Sequence, residues 1–100
     1  MYSKGKSSVN SYMVVYYRHN KLGYNRVGYT VSSKLGHAVV RNRIKRRLRE
    51  IYRLNSERLK IGYDIIIVAR SRCVDSDYHK MEEAFLKACS EGGLLSGEDT

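Results

Sequence analysis

Residues 38–53 read AVVRNRIKRRLREIYR, and this stretch decides how the rest of the chain can fold. Apolar side chains recur in it at helical spacing, namely Val40, Ile44, Leu48 and Ile51, with Tyr52 beside them. That spacing predicts an amphipathic helix with one stripe packed on a core. Basic residues fill the other positions, and only Glu50 offsets their charge locally: Arg41, Arg43, Lys45, Arg46, Arg47, Arg49 and Arg53.

The basic face of this helix is mostly arginine. A guanidinium presents a rigid fork of donors that matches phosphate oxygens, so the composition favours a nucleic-acid backbone as the ligand. The competing interpretation is an ordinary solvated helix face. Such a face normally carries acidic partners at i,i+4 spacing, and they are nearly absent here.

Length and charge limit the class of protein. One hundred residues with a formal charge of +9 and a pI of about 9.8 predict one domain with a polyanionic partner, for which nucleic acid is the default and an anionic membrane surface the competitor. The longest apolar run, Ile65–Ala69, is too short to span a bilayer. Residues 1–11 contain no apolar signal segment, so a cytoplasmic protein without membrane attachment is expected.

Cysteine and histidine give no metal pattern. Cys73 and Cys89 are isolated thiols, and a disulfide is not expected in the cytoplasm. Their spacing relative to His19, His37 and His79 fits no zinc motif. We therefore predict no metal site and no cofactor held by the protein.

The chain order predicts an α+β or mixed α/β domain. Strands are expected at Val9–Arg18 and Arg26–Ser32, joined through a hairpin loop at His19–Asn25. Tyr63–Arg70 is apolar on both faces between Ile65 and Ala69, which indicates a central strand.

Two helices complete the predicted order β-β-α-β-α. The basic helix should begin near Val39 or Val40 and continue to about Leu59, with Gly62 as its stop. After a loop at Ser71–Asp77, Asp77 should cap a last helix that runs to about Ser90. Residues 92–100 are expected to form a flexible tail.

Nine tyrosines against one Phe and no Trp allow two interpretations. Tyrosines commonly fill half-buried strand positions, and they also serve as stacking platforms for unpaired bases. Alternation in the first strand places one set of side chains on one face and one set on the other: Tyr12, Val14 and Tyr16, against Met13, Val15 and Tyr17. In the second strand, Gly28 shares a face with small residues, which suggests close approach by a helix or by RNA.

The run SSKLGHAVVRNRIKRRLRE at residues 32–50 resembles the signature of the bacterial ribonuclease P protein component. The matching positions are Lys34, Gly36, Ala38, Val39, Arg41, Asn42, Arg43, Lys45 and Arg46. So many fixed positions in a short span make the match specific. The resemblance covers the chain from about Tyr2 to Leu95.

The resemblance implies a fold and a chain organisation. Residues 1–100 should form a single domain, an α/β sandwich with a small mixed sheet and a left-handed β-α-β crossover, a fold that is also found in a ribosomal protein domain. Family members carry an N-terminal helix, and only its last turn is expected here, with Tyr2 matching an aromatic of that helix.

The resemblance also implies a function. In this family the RNA subunit is the catalyst, with Mg²⁺, and it removes the 5′ leader of precursor tRNA. The protein is an accessory subunit, expected here as a monomer bound to one RNA. The residues of this chain are consistent with a subunit that does not catalyse cleavage. No paired carboxylates lie near the basic helix, and His37 is a lone histidine, so we predict no catalytic residue.

Two binding surfaces follow from the resemblance. The first binds the catalytic RNA through Lys34, Arg41, Asn42, Arg43, Lys45, Arg46 and Arg49, while Arg47 is interpreted as an ordinary surface charge. The second is a cleft between the sheet and the N-terminal helix that holds the single-stranded leader, with Tyr2, Tyr12 and Tyr16 as stacking residues and Val14 and Val27 as apolar lining. Tyr12 fits a position in the core equally well.

Three other functions would each explain part of the sequence. A different basic RNA-binding module, such as a ribosomal protein, explains the charge but not the signature at residues 34–46. A DNA-binding protein would place the basic helix in a major groove, but no second reading element is visible. An intrinsic ribonuclease lacks the carboxylate set that metal-assisted cleavage needs.

Overall fold

In the computed structural model, residues 6–95 are described, and they form one sheet with helices packed on it. The strands are β1 (Lys6–Val9), β2 (Met13–His19), β3 (Arg26–Thr30) and β4 (Tyr63–Ala69). The helices are α1 (Ala38–Asn55), α2 (Arg72–Asp75) and α3 (Tyr78–Glu91), with 3₁₀ turns at Ser33–Leu35 and Ser56–Arg58.

The strand order is β1-β2-β4-β3, which makes the sheet mixed. β4 lies inside the sheet, antiparallel to β2 and parallel to β3. This confirms the central strand expected from the apolar run in β4, and it confirms the α+β class. Because α1 connects the parallel neighbours β3 and β4, the chain contains the expected β-α-β crossover.

The hairpin predicted between Val9–Arg18 and Arg26–Ser32, which correspond to β2 and β3, is wrong. β2 and β3 do not pair with each other, because β4 inserts between them. A strand that is apolar on both faces gains most from the central position, where both faces are covered. The loop after β2 is instead held to the segment before β4, since Asn20 N donates to Gly62 O at 2.9 Å and Asn25 Nδ2 donates to Lys60 O at 3.0 Å.

Several predicted boundaries also need correction. Lys6–Val9 is a strand paired with β2, whereas the sequence had suggested that the first strand begins at Val9. The expected helical turn with Tyr2 lies outside the described residues. α1 ends at Asn55 rather than near Leu59, and Gly62, at φ 99°, turns the chain into β4. The loop after β4 contains the short helix α2.

The start of the predicted tail is packed. Leu94 is 1% exposed, and its carbonyl accepts from Lys60 N at 2.7 Å, while Leu95 bridges to Leu59. An apolar side chain that reaches the core removes this segment from the solvent, so the flexible-tail prediction is wrong for Leu94 and Leu95. Residues 96–100 lie outside the described part of the chain.

The core lies on one face of the sheet, beneath α1 and α3. Alternate β2 and β4 side chains point into it, and the helices cover them with their apolar stripes: Met13, Val15, Tyr17, Ile65 and Ile67 from the strands, and Ile44, Leu48, Ile51, Met81 and Phe85 from the helices. Asp77 caps α3 as predicted, accepting from Lys80 N at 2.8 Å. The opposite sheet face keeps Tyr16 and Ile66 exposed at 49% and 46%.

Candidate nucleic-acid interface

The basic residues of α1 divide among three sides of the helix. One residue advances the helix by about 100°, so residues four apart form rows. The row of Arg41, Lys45 and Arg49 faces β3, where the Arg49 guanidinium lies 6.0 Å from the centre of the Tyr29 ring. Arg43 lies on the other flank, and Asn42 and Arg46 lie on the outer side between the two.

Two of the arginines are fixed by the fold. Arg47 is half-buried and donates from Nη1 to the Ser76 carbonyl at 3.1 Å, which ties α1 to the segment before α3. The interpretation of Arg47 as an ordinary surface charge is therefore wrong. Arg41, also half-buried, donates from Nε to the Gly36 carbonyl at 3.2 Å and holds the loop before α1.

The remaining cations of the signature are available to a ligand. Arg43 and Arg46 are exposed and Lys45 is half-exposed, and none of them has a hydrogen-bond or ion-pair partner within residues 6–95. Lys34 is exposed in the 3₁₀ turn that precedes α1. The exposed Asn42 adds directional donors and an acceptor beside these charges.

The stack of Arg49 on Tyr29 orients one cation at the edge of the sheet. Tyr29 is half-buried on edge strand β3, and burial raises the pKa of its phenol, while Arg49 opposes that rise. A cation held over an aromatic face loses less side-chain freedom when it binds a phosphate. Arg49 is therefore more preorganised than Lys45, which has no partner within residues 6–95.

A groove of about 550 Å³ lies on the open face of the sheet. Strand register aligns Tyr16 with Ser7 on one side and Ile66 on the other, and these side chains line the groove. Gly28 continues the row on β3, and a Cβ there would meet no atom of residues 6–95 within 4 Å. Its small size therefore leaves open space and serves no contact with any of the described helices.

One end of the groove carries a charged cluster. The register places Arg18, Asp64 and Arg26 side by side on β2, β4 and β3. Arg26 contacts the carboxylate through two hydrogen bonds of 2.8 Å, and Arg18 Nη2 lies 3.4 Å from Oδ2. Asn20 Nδ2 donates to Oδ1 at 3.0 Å. These donors, led by Arg26, hold the pKa of Asp64 well below its usual range.

The predicted leader residues do not all share this groove. Tyr16 lies in it, and Val14 is on the same face. Tyr12 precedes β2 and lines a different cavity against α3, with the Arg72 guanidinium 5.8 Å from its ring centre. Val27 faces the core beside Ile65, so it cannot line the groove.

Tyr2 lies outside the described residues. Sequence reasoning missed the charged cluster altogether, because its three members come from three separate strands. The alternation of side chains along each strand shows which face each residue occupies. Only the strand order shows that these three residues are neighbours on that face.

The described part of the chain contains no candidate metal site and no candidate cysteine nucleophile. Within residues 6–95, no group of three or more His, Cys, Asp or Glu side chains could hold a metal ion. Cys73 and Cys89 are buried thiols, and burial raises their pKa values, that of Cys89 to about 12. A protonated, buried thiol is a poor nucleophile. The helices of this part of the chain lack the length and the apolar composition of a membrane span.

Known structures share this fold. The ribonuclease P protein of Staphylococcus aureus superimposes with a TM-score of 0.85 at 33% identity, over 95% of this chain and 87% of the other. The protein from Thermotoga maritima gives a TM-score of 0.79 at 36% identity, over 86% and 82%. The architecture is therefore that of the bacterial ribonuclease P proteins.

Sequence comparison agrees with the fold. A profile of the family described as Ribonuclease P matches residues 1–92. A ribonuclease P protein component from Thermoanaerobacter sp. strain X514 is 46% identical over 99 residues, which cover 99% of this chain and 85% of the relative. One from Alkaliphilus oremlandii is 47% identical over 96 residues, covering 96% and 84%. The chain belongs to the ribonuclease P protein component family.

Proposed function

We propose that this chain binds the catalytic RNA of ribonuclease P and the single-stranded 5′ leader of precursor tRNA, in a complex of one protein and one RNA. The observation that carries the proposal is the exposed signature on α1, where Arg43 and Arg46 have no partner within residues 6–95. Cleavage is assigned to the RNA with Mg²⁺. A protein catalyst would need positioned acid–base or metal-binding groups, and residues 6–95 contain no group of side chains that could hold a metal ion.

The first surface is the exposed side of α1 together with the 3₁₀ turn before it, and it consists of Lys34, Asn42, Arg43, Lys45, Arg46 and Arg49. Its cations replace condensed counterions on the RNA backbone and let the two polyanions, RNA subunit and substrate, approach each other. Asn42 adds no charge and supplies directional hydrogen bonds instead. Binding at this surface should weaken steeply as salt rises.

The second surface is the groove around Tyr16. An exposed tyrosine beside the apolar Ile66 offers a face on which an unpaired base can stack, worth roughly 1–3 kcal/mol per base. Stacking does not read base identity, which suits a leader of variable sequence. Tyr12 is left out of this surface because its ring lies against α3 and beneath Arg72.

The two surfaces lie on opposite sides of the sheet. α1 packs on the core face, whereas Tyr16 points away from it. Edge strand β3 belongs to both sides, with Tyr29 under Arg49 on one and Arg26 near the groove on the other. RNA that contacts both surfaces would therefore pass around the β3 edge.

A cleavage assay tests this function. Precursor tRNA is incubated with a bacterial ribonuclease P RNA at low Mg²⁺, with and without the protein. We expect the protein to stimulate cleavage at the mature 5′ end and to cleave nothing alone. Tight RNA binding without stimulation would favour another basic RNA-binding module, such as a ribosomal protein, and metal-dependent cleavage by the protein alone would show that the assignment of catalysis is wrong.

Variants separate the two surfaces. Arg43→Ala should weaken assembly with the RNA subunit and reduce the salt dependence of binding by about one phosphate contact. Tyr16→Ala should leave assembly unchanged and lower the affinity only for substrates that carry a leader. If both variants lowered assembly alone, the two-surface arrangement would be wrong.

A further inference from the structure

The groove contains a carboxylate that its proposed ligand should repel. Asp64 lines the groove together with Tyr16, on the face where the leader is proposed to bind. A negative charge beside a polyanion normally weakens binding, so this position needs a reason.

The hydrogen bonds that Asp64 accepts explain why a carboxylate can lie in this groove. Both oxygens of Asp64 are occupied: Oδ1 accepts from Arg26 Nε and Asn20 Nδ2, and Oδ2 accepts from Nη2 of Arg26 and of Arg18. The carboxylate therefore has no free lone pair directed at the groove, and two guanidinium groups surround it. The cluster has a net charge of +1, from two arginines and one aspartate.

The arginines remain available to a second anion. Their side chains are 58% and 46% exposed for Arg26 and Arg18. Arg26 uses Nε and Nη2 on the carboxylate, which leaves its Nη1 protons free of partners within residues 6–95, and Arg18 uses Nη2 alone. A guanidinium that a carboxylate already orients loses less entropy when it binds a phosphate than an unpaired side chain does.

We propose that Arg18 and Arg26, held in place by Asp64, form a phosphate-binding site at the end of the groove. It takes a phosphodiester of the same strand whose base stacks on Tyr16. Tyr16 and Arg18 are two residues apart on β2 and point to the same face, which separates them by about 6.8 Å. This site deepens the proposed leader binding and rests on it, and it makes Asp64 a positioning residue.

The role of Asp64 predicts the sign of a mutational effect. Charge alone predicts that Asp64→Asn strengthens binding of an anionic strand, because one negative charge is lost. Positioning predicts the reverse, because an amide has one acceptor oxygen and cannot accept both bonds of Arg26 as well as the bond of Arg18, so the guanidinium groups lose their orientation. We expect Asp64→Asn to weaken affinity for leader-bearing precursor tRNA by about threefold.

The experiment measures dissociation constants for the complex of protein and RNA subunit, with precursor tRNA and with leaderless tRNA. Arg26→Ala should lose about tenfold in affinity for the leader-bearing substrate only. Glu91→Gln, at the exposed end of α3, makes the same charge change as Asp64→Asn away from the groove and serves as the control. It should leave leader-dependent affinity unchanged or slightly higher.

A backbone scan keeps the test independent of whether Asp64→Asn folds. Precursor tRNAs with a single uncharged methylphosphonate linkage, placed at successive leader positions, are bound to the wild-type complex. We expect one linkage to cost affinity, and the Arg26→Ala complex to lose nothing further at that linkage, as a coupled pair should.

The outcomes are distinguishable. If the wild-type complex binds leader-bearing and leaderless tRNA equally, leader binding itself is wrong and this inference with it. If Tyr16→Ala removes the leader dependence but Asp64→Asn tightens binding and no single linkage couples to Arg26, leader binding stands and the phosphate site is overturned.

Discussion

The Nη1 group of Arg47 donates to the Ser76 carbonyl at 3.1 Å, and this bond joins α1 to the segment that leads into α3. Its neighbour Arg46 is exposed and has no hydrogen-bond or ion-pair partner within residues 6–95. Adjacent arginines of one basic run therefore differ in their surroundings, since Arg47 is bonded within the protein and Arg46 is exposed to solvent.

Alanine substitution of Arg47 should mainly lower stability, whereas alanine substitution of Arg46 should mainly weaken RNA binding. Arg47→Ala leaves a half-buried carbonyl without its donor, so we expect a loss of about 1–2 kcal/mol in the free energy of unfolding and a small loss of RNA affinity. Arg46→Ala should change stability by less than about 0.5 kcal/mol and weaken RNA binding. Urea unfolding and an RNA-binding titration measure both; equal stability losses would contradict this separation.

The end of α3 is packed too closely to accept a side chain at Gly92. A Cβ there would lie 2.6 Å from the Tyr17 hydroxyl oxygen and 2.8 Å from Cζ, and the Tyr17 ring is buried against Tyr63. Because the ring cannot move freely, Gly92→Ala should cost about 1–3 kcal/mol, measured by thermal or urea unfolding.

Gly28→Ala is the matched control for that variant. A Cβ at Gly28 meets no atom of residues 6–95 within 4 Å, and glycine in a strand is less stable than alanine by roughly 0.5–1 kcal/mol, so the control should stabilise the protein. Equal effects of the two variants would mean that the contact between Gly92 and Tyr17 does not limit the packing of α3.

Asn55 is a buried polar residue that joins two helices. Its side chain is at the end of α1, 5% exposed as a residue, and Nδ2 donates to Ile51 O and to Glu82 Oε2, both at 2.9 Å. Asn55→Ala removes the donor and leaves the Glu82 carboxylate without a hydrogen-bond partner within residues 6–95, so we expect a loss of about 1–3 kcal/mol in the free energy of unfolding, measured with urea. Glu57→Ala, on the exposed turn that follows, is the control and should be close to neutral.

Asp64 should shape the acid limb of stability. Its pKa is held well below its usual range in the folded protein and lies near 3.9 in an unfolded chain, so the stabilisation is present above about pH 4 and is lost as pH falls below that value. Asp64→Asn should therefore show a shallower fall in unfolding free energy between about pH 4 and pH 2. Identical slopes for wild type and variant would contradict this account, and Glu91→Gln controls for loss of a carboxylate outside the network.

The sequence by itself determined the local features of this protein. The spacing of Ile44, Leu48 and Ile51 fixes the buried stripe of α1, the apolar run in β4 gives its central position, and Asp77 marks the start of α3. The signature between Lys34 and Arg46 identified the family. Each of these signals is short in range, because helical periodicity, strand alternation and capping depend on neighbours within a few residues.

Tertiary structure decided what depends on distant residues. The insertion of β4 between β2 and β3 removed the expected hairpin, and the same order brought Arg18, Asp64 and Arg26 into one row. It also separated Tyr12 and Val27 from Tyr16. Tyr12 lies before the start of β2, and the register of β3 turns Val27 toward the core beside Ile65. Cross-strand register joins residues more than thirty-five positions apart, as between Arg26 and Asp64, and no local pattern encodes it.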